Sequence, residues 1–164
     1  EKGKPTWEAF KGSEEYTDFV HSLWYALRKP KIEHFTVFRD LGRGAFGVVS
    51  GAKFSTTGAL VAVKTMNRKL VKGKKALKLV DAEKSILSAL GDKPSLFTVW
   101  LKYSFVDADY FYLCLPLCTG GDLMYHLNGD GKTLGYFPFK LTQFYAAEIT
   151  LGLEHLHSLG IIYR

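Results

Sequence analysis

Leu41-Gly42-Arg43-Gly44-Ala45-Phe46-Gly47-Val48-Val49, followed further on by Val61-Ala62-Val63-Lys64, is the stretch that decides the reading of this chain. Gly42, Gly44 and Gly47 stand at G-x-G-x-x-G spacing. Without side chains in the way, their backbone N–H groups can approach a phosphate chain closely. That spacing alone is shared with dinucleotide-binding folds, which need a helix directly after the glycines and an acid about 20 residues further on. Here Val48-Val49 continue a strand, and residues 60–66 contain no acid. A phosphate loop of the ATPase type fails as well: Gly131-Lys132-Thr133 has His126 where that motif requires its upstream glycine.

Outward from this stretch the apolar residues alternate. Phe35 and Val37 start a first strand that runs into Leu41, Val48 to Phe54 form a second, and Leu60 to Met66 a third. Ser55-Thr56-Thr57-Gly58 is turn chemistry between the last two. The basic run Arg68, Lys69, Lys72, Lys74, Lys75 follows. A helix is expected from about Ala76 to Leu90, with Leu77, Val80, Leu87 and Leu90 on its apolar stripe and Gly91 as its stop. Phe97 to Phe105 alternates like a strand, Asp107-Ala108-Asp109 turns, and Tyr110 to Leu117 is apolar enough for a buried central strand.

Beyond Gly120-Gly121 a short helix is expected from Asp122 to Leu127, then a polar loop from Asn128 to Gly135. Pro138 suits the first position of a longer helix reaching Ser158, where Gly160 ends it. Phe144, Tyr145, Ala147, Ile149, Leu151, Leu153 and Leu156 leave it little polar face, which predicts deep burial. At the other end, residues 7–28 show helical spacing of Trp7, Phe10, Tyr16, Phe19, Val20, Leu23, Trp24 and Leu27. Thr17-Asp18 contributes to its start, Pro30 stops it, and Lys29-Pro30-Lys31 reads as a linker. The chain shows no internal repeat.

The 164 residues suit one domain, and 47% apolar residues suffice for a real core. The net charge of +6 favours acidic partners such as nucleotides or anionic headgroups, although a solvated basic face gives the same number. Two cysteines, Cys114 and Cys118, make no disulfide framework and fit a reducing, cytoplasmic compartment. Together with His155 and His157 they match no familiar zinc spacing. No apolar run reaches the ~18 residues of a membrane span. Glu1-Lys2-Gly3-Lys4 is no signal peptide, and the start without Met suggests an internal piece of a longer protein.

Lys64 needs an acid to orient its ammonium group, and the helix after the basic run offers Glu83. At ~4 Å and a surface-like dielectric such a pair attracts by about 4 kcal/mol before desolvation. Asp81 sits two positions away on another face of that helix and is the weaker partner.

These residues carry a resemblance. In order, Leu41–Val49, Val61–Lys64, Glu83, Gly120-Gly121-Asp122-Leu123, Phe144-Tyr145-Ala146-Ala147-Glu148-Ile149, Gly152-Leu153-Glu154-His155-Leu156-His157 and Ile162-Tyr163-Arg164 resemble a serine/threonine protein kinase of the AGC group. Tyr-Arg in place of His-Arg is typical of that group. The run from Lys64 to Lys72, with Phe-Tyr-Ala-Ala-Glu-Ile and Gly-Leu-Glu-His-Leu-His, is most similar to G-protein-coupled receptor kinases. Protein kinase C and ribosomal kinase types stay open.

The resemblance implies an α+β, protein-kinase-like fold: a five-stranded antiparallel N-lobe sheet with helix C, plus the first helices of a helical C-lobe. It divides the chain into a helical extension (1–34, resembling the end of a regulatory helical domain), an N-lobe and hinge (35–117) and the start of a C-lobe (118–164). It implies that Lys64 and Glu83 position the α- and β-phosphates of ATP. Leu41, Gly42, Arg43, Gly44, Ala45, Phe46 and Gly47 would line the phosphate loop. Leu41, Val49, Ala62 and Leu115 would sandwich the purine, with Leu115 as gatekeeper. The carbonyl of Pro116 and the N–H of Cys118 would pair with the adenine edge, and Asp122 with the ribose hydroxyls.

In the family, the catalytic aspartate follows Tyr-Arg, and an asparagine and Asp-Phe-Gly hold Mg2+ further on. None of these falls within the 164 residues, so no metal ligand is expected here and the chain alone is expected to be inactive. Its C-terminal third, deprived of the larger lobe, is expected to be poorly ordered or aggregation-prone. Expected partners are ATP, a protein substrate, which for receptor kinases is an activated receptor, and an anionic membrane surface; nucleic acid is not. The rival reading is a non-catalytic nucleotide-binding or docking module, pseudokinase-like.

Overall fold

A computed structural model describes residues 7–27, 30–55, 57–128 and 135–163. Lys29 of the linker, Thr56 of the turn, most of the 128–135 loop and Arg164 lie outside the described residues.

Five strands form one antiparallel sheet: β1 (Phe35–Gly44), β2 (Gly47–Phe54), β3 (Leu60–Asn67), β4 (Tyr103–Val106) and β5 (Tyr110–Pro116), in the order β1-β2-β3-β5-β4. The helices are α1 (Trp7–Lys11), α2 (Glu14–Leu27), α3 (Arg68–Gly73), α4 (Leu77–Asp92), α5 (Leu123–Asn128) and α6 (Phe139–Ser158). The fold is α+β.

The pleat sends successive side chains to opposite faces. On one face Phe35, Ala52, Phe54, Val61, Val63, Tyr103, Tyr112 and Cys114 make an aromatic-rich core. Phe54 lies 5.1 Å from Phe35 and 5.6 Å from Tyr103 between ring centroids. On the other face Met66 and Leu113 pack with Val71 of α3, Ala76, and Val80 and Leu87 of α4. Each such large apolar side chain contributes about 1.5–3 kcal/mol by leaving water. The α4 residues carry the helical spacing seen in the sequence, so α4 is fixed on the sheet by its apolar stripe.

The β4–β5 hairpin is closed by a polar network. Asp107 accepts from the Asp109 and Tyr110 N–H groups, both at 2.8 Å, and from the Tyr112 hydroxyl at 2.7 Å. The Tyr112 hydrogen bond, opposed by desolvation and aided by the two backbone donors, lowers the Asp107 pKa.

Several sequence expectations need correction. The 7–28 helix is broken at Gly12-Ser13, and the second segment starts on Ser13, whose Oγ accepts from Tyr16 N at 3.2 Å; Thr17-Asp18 does not start it. The strand expected from Phe97 begins only at Tyr103. Before it, Phe97 N and Thr98 N are spent on Ser95, and Leu101 N donates to Leu87 O of α4 at 2.9 Å. Local turns and the α4 contact thus override the period of two.

The basic run contains a helix, α3, capped by Asn67 Oδ1, which accepts from Leu70 N at 3.1 Å. Helix α4 runs through Gly91 to Asp92, and Pro138 is the N-cap of α6 instead of its first turn. The deep burial expected for α6 is not found. Only Gly152 is buried, its position for a Cβ 3.2 Å from Phe97 O, while Phe139, Phe144 and Ile149 are exposed. A helix apolar all round needs cover on every side, and the described residues cover one.

Burial pushes the Cys114 thiol up to about 12, whereas Cys118 is exposed. Iodoacetamide near neutral pH is therefore expected to modify Cys118 in the folded chain and Cys114 only after denaturation, because the thiolate is the reacting species. Mass spectrometry showing equal labelling of both in the folded state would contradict the packing described.

Candidate functional site

The glycine stretch forms the β1–β2 hairpin, with Gly42 opposite Val49 and Gly44 opposite Gly47 and a register shift between Asp40 and Gly42. The three glycines are not equivalent. A Cβ on Gly47 would lie 1.8 Å from Thr65 O of β3, so the sheet itself demands glycine there. A Cβ on Gly42 or Gly44 would meet no protein atom within 4 Å, and neither residue needs a positive φ. Nothing within the described chain demands glycine at these two positions. They are the positions where a ligand's close approach would demand it.

The tip of the hairpin is tied down. Phe46 packs against the Met66 and Val71 core, and its carbonyl accepts from Asn67 N at 2.9 Å. At the base, Asp40 accepts from Ser50 Oγ at 3.0 Å and from Arg43 Nη2 at 3.2 Å, so the Arg43 guanidinium is drawn to its own strand. The sequence reading did not single out Asp40; an acid three residues before an arginine carries no signal on a strand.

Strand register sets the next layer. Val49 pairs with Lys64, Ala62 with Leu115, and Lys64 with Leu113. Cross-strand partners share a face. Val49, Ala62, Lys64 and Leu115 therefore lie together on the α4 side of the sheet, beneath the glycine hairpin, with Leu41 at the hairpin's exposed start.

Lys64 Nζ donates to both carboxylate oxygens of Glu83, at 2.6 and 2.8 Å. Their side chains are 30% and 38% exposed. At that exposure an ion pair is worth about 0–1 kcal/mol net, so the value of about 4 kcal/mol for the bare attraction is an upper bound. The pair does little for stability and much for position: it fixes a cation between the hairpin and α4. Asp81 faces elsewhere. With Lys84, Val80, Phe105 and Phe111 it lines a groove of about 590 Å3 between α4 and the β4–β5 edge. No glycine backbone or Lys–Glu pair opens onto that groove.

Pro116 ends β5 opposite Val61, and Cys118 follows on an irregular stretch, exposed. Asp122 caps α5: its Oδ1 accepts from Tyr125 N at 2.6 Å. One carboxylate oxygen thus has a structural duty that an Asp directly before a helix could have announced. Gly121, at φ +82, makes the turn into it. Among the described residues no group of three or more His, Cys, Asp or Glu side chains is arranged to hold a metal ion, and no helix is long and apolar enough to cross a membrane.

Comparison with known proteins adds two findings. The family described as protein kinase domain matches residues 35–164. The chain is also 35% identical over 166 residues to a G protein-coupled receptor kinase of Drosophila melanogaster, covering 96% of this chain and 23% of that protein. It is 33% identical over 162 residues to a human rhodopsin kinase, covering 99% and 28%. To a beta-adrenergic receptor kinase of Didelphis virginiana it is 40% identical over 130 residues, covering 79% and 18%. The chain thus spans between 18% and 28% of the length of these relatives.

The glycines separate by substitution. Gly47→Ala is expected to cost more than about 2 kcal/mol, because the clash is with backbone, while Gly44→Ala changes stability by no more than about 0.5 kcal/mol. Urea unfolding measures both; equal losses would contradict the distinction.

Proposed function

This chain belongs to the protein kinase domain family, and on that premise we propose that it is the ATP-holding part of a serine/threonine kinase whose substrates are G-protein-coupled receptors. The observation that carries the proposal is the Lys64–Glu83 pair at 2.6 and 2.8 Å, placed by register beside Val49 and under a hairpin in which Gly42 and Gly44 are free of the protein's own packing demands. Those two glycines fit a triphosphate, and the Val49, Ala62 and Leu115 face fits a purine.

In this reading each residue holds or orients. Glu83 occupies two of the three donors of the Lys64 ammonium and keeps its head group in place, so that a remaining donor meets the α- and β-phosphates. The hairpin from Gly42 to Gly47, with Arg43, Ala45 and Phe46, covers the phosphates with backbone N–H groups. Leu41, Val49, Ala62 and Leu115 exclude water from the purine. The Pro116 carbonyl accepts from the adenine edge and the Cys118 N–H donates to it. Asp122 turns the carboxylate oxygen not bonded to Tyr125 toward the ribose. ATP, when bound with magnesium, supplies the transferable γ-phosphoryl group.

The 164 residues are assigned nucleotide binding without turnover, because the aspartate that would orient a substrate hydroxyl, and the magnesium ligands, belong after Tyr163-Arg164 in the resemblance. Residues 1–34 are read as the end of a regulatory helical domain, 35–117 as N-lobe and hinge, and 118–164 as the start of the C-lobe; similarity to the Drosophila relative over 96% of the chain supports including the first segment. Cytoplasmic placement with peripheral attachment to anionic membrane is part of the proposal, supported by the +6 charge and exposed Lys69, Lys72 and Lys75. Sedimentation with phosphatidylserine vesicles is expected to fall as salt rises; absent or salt-insensitive binding would contradict the membrane reading.

Thermal unfolding tests the nucleotide site. Mg-ATP at about 100 times its Kd is expected to stabilise the chain by about 2.7 kcal/mol, and Lys64→Met to abolish most of that gain. A radiolabelled-phosphate assay on the same chain is expected to show no turnover above Lys64→Met. No thermal shift in the unaltered chain would overturn the nucleotide reading, and clear turnover would overturn the assignment of catalysis to residues outside it.

A further inference from the structure

The lysine at the end of α3 reaches back across the sheet to the glycine hairpin. Lys74 Nζ donates to Ala45 O at 3.2 Å and stands 5.5 Å from the centroid of the Phe46 ring. It touches both halves of the hairpin tip, Ala45 at its carbonyl and Phe46 at its π face. Neither contact is a consequence of the sheet: Lys74 belongs to the turn between α3 and α4, 29 positions from Ala45.

That turn is built to hold one shape. Ala76 N donates to Val71 O at 2.9 Å and Lys75 N to Lys72 O at 3.0 Å, the paired bonds of a helix end closed by a left-handed residue. The left-handed residue is Lys75, at φ +52, the positive-φ residue other than glycine among the described residues. A side chain there is sparsely tolerated, and the turn persists because Val71 and Ala76, on either side, are buried in the α4 core. The start of α3 is pinned as well: Arg68 Nη1 donates to Asp107 O at 2.6 Å and Ala108 O at 3.0 Å. With α3 fixed at both ends, the root of Lys74 has one position, and its ammonium is delivered to the hairpin tip.

The underside of the tip is held by the Asn67 N–H on Phe46 O and by the Met66 and Val71 packing. The Lys74 contacts close the remaining side. Gly42 and Gly44 have no side chain to brace the hairpin, so its height over the Lys64–Glu83 pair depends on how firmly the tip is tied. We infer that Lys74 is a positioning residue: it latches the Ala45-Phe46 tip, holds the glycine N–H groups at phosphate height, and thereby sets affinity for the phosphates of a nucleotide and not for its base. This inference rests on the nucleotide reading of the site.

The experiment uses the 164-residue chain and its Lys74→Ala, Lys74→Met and Lys74→Arg variants. Two quantities are read: amide hydrogen exchange at residues 44–47 without nucleotide, and the Kd of ATP and of adenosine by calorimetry. Expected are faster exchange at the tip and ATP binding weakened about two- to fivefold for Ala and Met, which is the worth of an exposed cation–π contact. Adenosine binding is expected to be unchanged, and Arg to restore both exchange and ATP affinity. Unaltered exchange at the tip, or equal loss for ATP and adenosine, would overturn the latch while leaving the nucleotide site intact. Failure of the unaltered chain to bind ATP would overturn the nucleotide reading and the latch together. A variant with lowered melting temperature and globally faster exchange would show a structural role and overturn the inference; Arg rescue separates this from the latch.

Discussion

Everything at the candidate site depends on the register of β3 between β2 and β5. Val61 and Val63 enter the aromatic core, while Ala62, Lys64 and Met66 face α4. A slip of one residue would drive the Lys64 ammonium among Phe54, Tyr103 and Cys114, at the cost of burying an unpaired charge, several kcal/mol or more. Register is thus enforced by two cores that accept opposite chemistry. The ion pair with Glu83 exploits that enforcement more than it causes it, since an interaction worth about 1 kcal/mol or less cannot hold a sheet.

The same logic explains why a weak ion pair can be central to the proposed nucleotide site. Lys64 and Glu83 come from a strand and a helix that meet only because Val80 and Leu87 pack on Met66 and Leu113. The apolar contacts supply the energy and the polar pair takes up the position. Around it, Asp40, Asn67 and Lys74 fix the hairpin at its base, its underside and its tip. A flexible glycine loop becomes a defined surface without any bulk in the loop itself.

Much of this was legible in the sequence where one local signal agreed with the final packing. The period of two placed β1, β2 and β3, the continuous apolar run from Tyr110 placed β5, and the apolar spacing of Val80, Leu87 and Leu90 placed α4. The glycine spacing, the Val-Ala-Val-Lys run and Glu83 are read from residue types alone. Errors arose where long-range contacts override local pattern. Phe97 to Leu101 alternates, yet the N–H groups of Phe97 and Thr98 go to Ser95 and that of Leu101 to Leu87. The α6 residues look like a buried helix because their pattern records needed cover and not where that cover is. Asp122 as a cap and Lys74 as a bridge went unread for different reasons. The first had a local signal that the ribose role overshadowed, and the second depends on a left-handed turn at Lys75 that no lysine announces.

The central claim is that the α4 face of the sheet, beneath the glycine hairpin, holds a nucleotide. Titration of the isotope-labelled chain with ATP, followed by amide and methyl NMR shifts, tests it most directly. The account predicts shifts at Gly42, Gly44, Val49, Ala62 and Leu115, with Ala52, Val61 and Val63 on the opposite face unmoved. Shifts centred on Asp81, Lys84 and Phe111 in the groove beside α4, or none at saturating ATP, would contradict it.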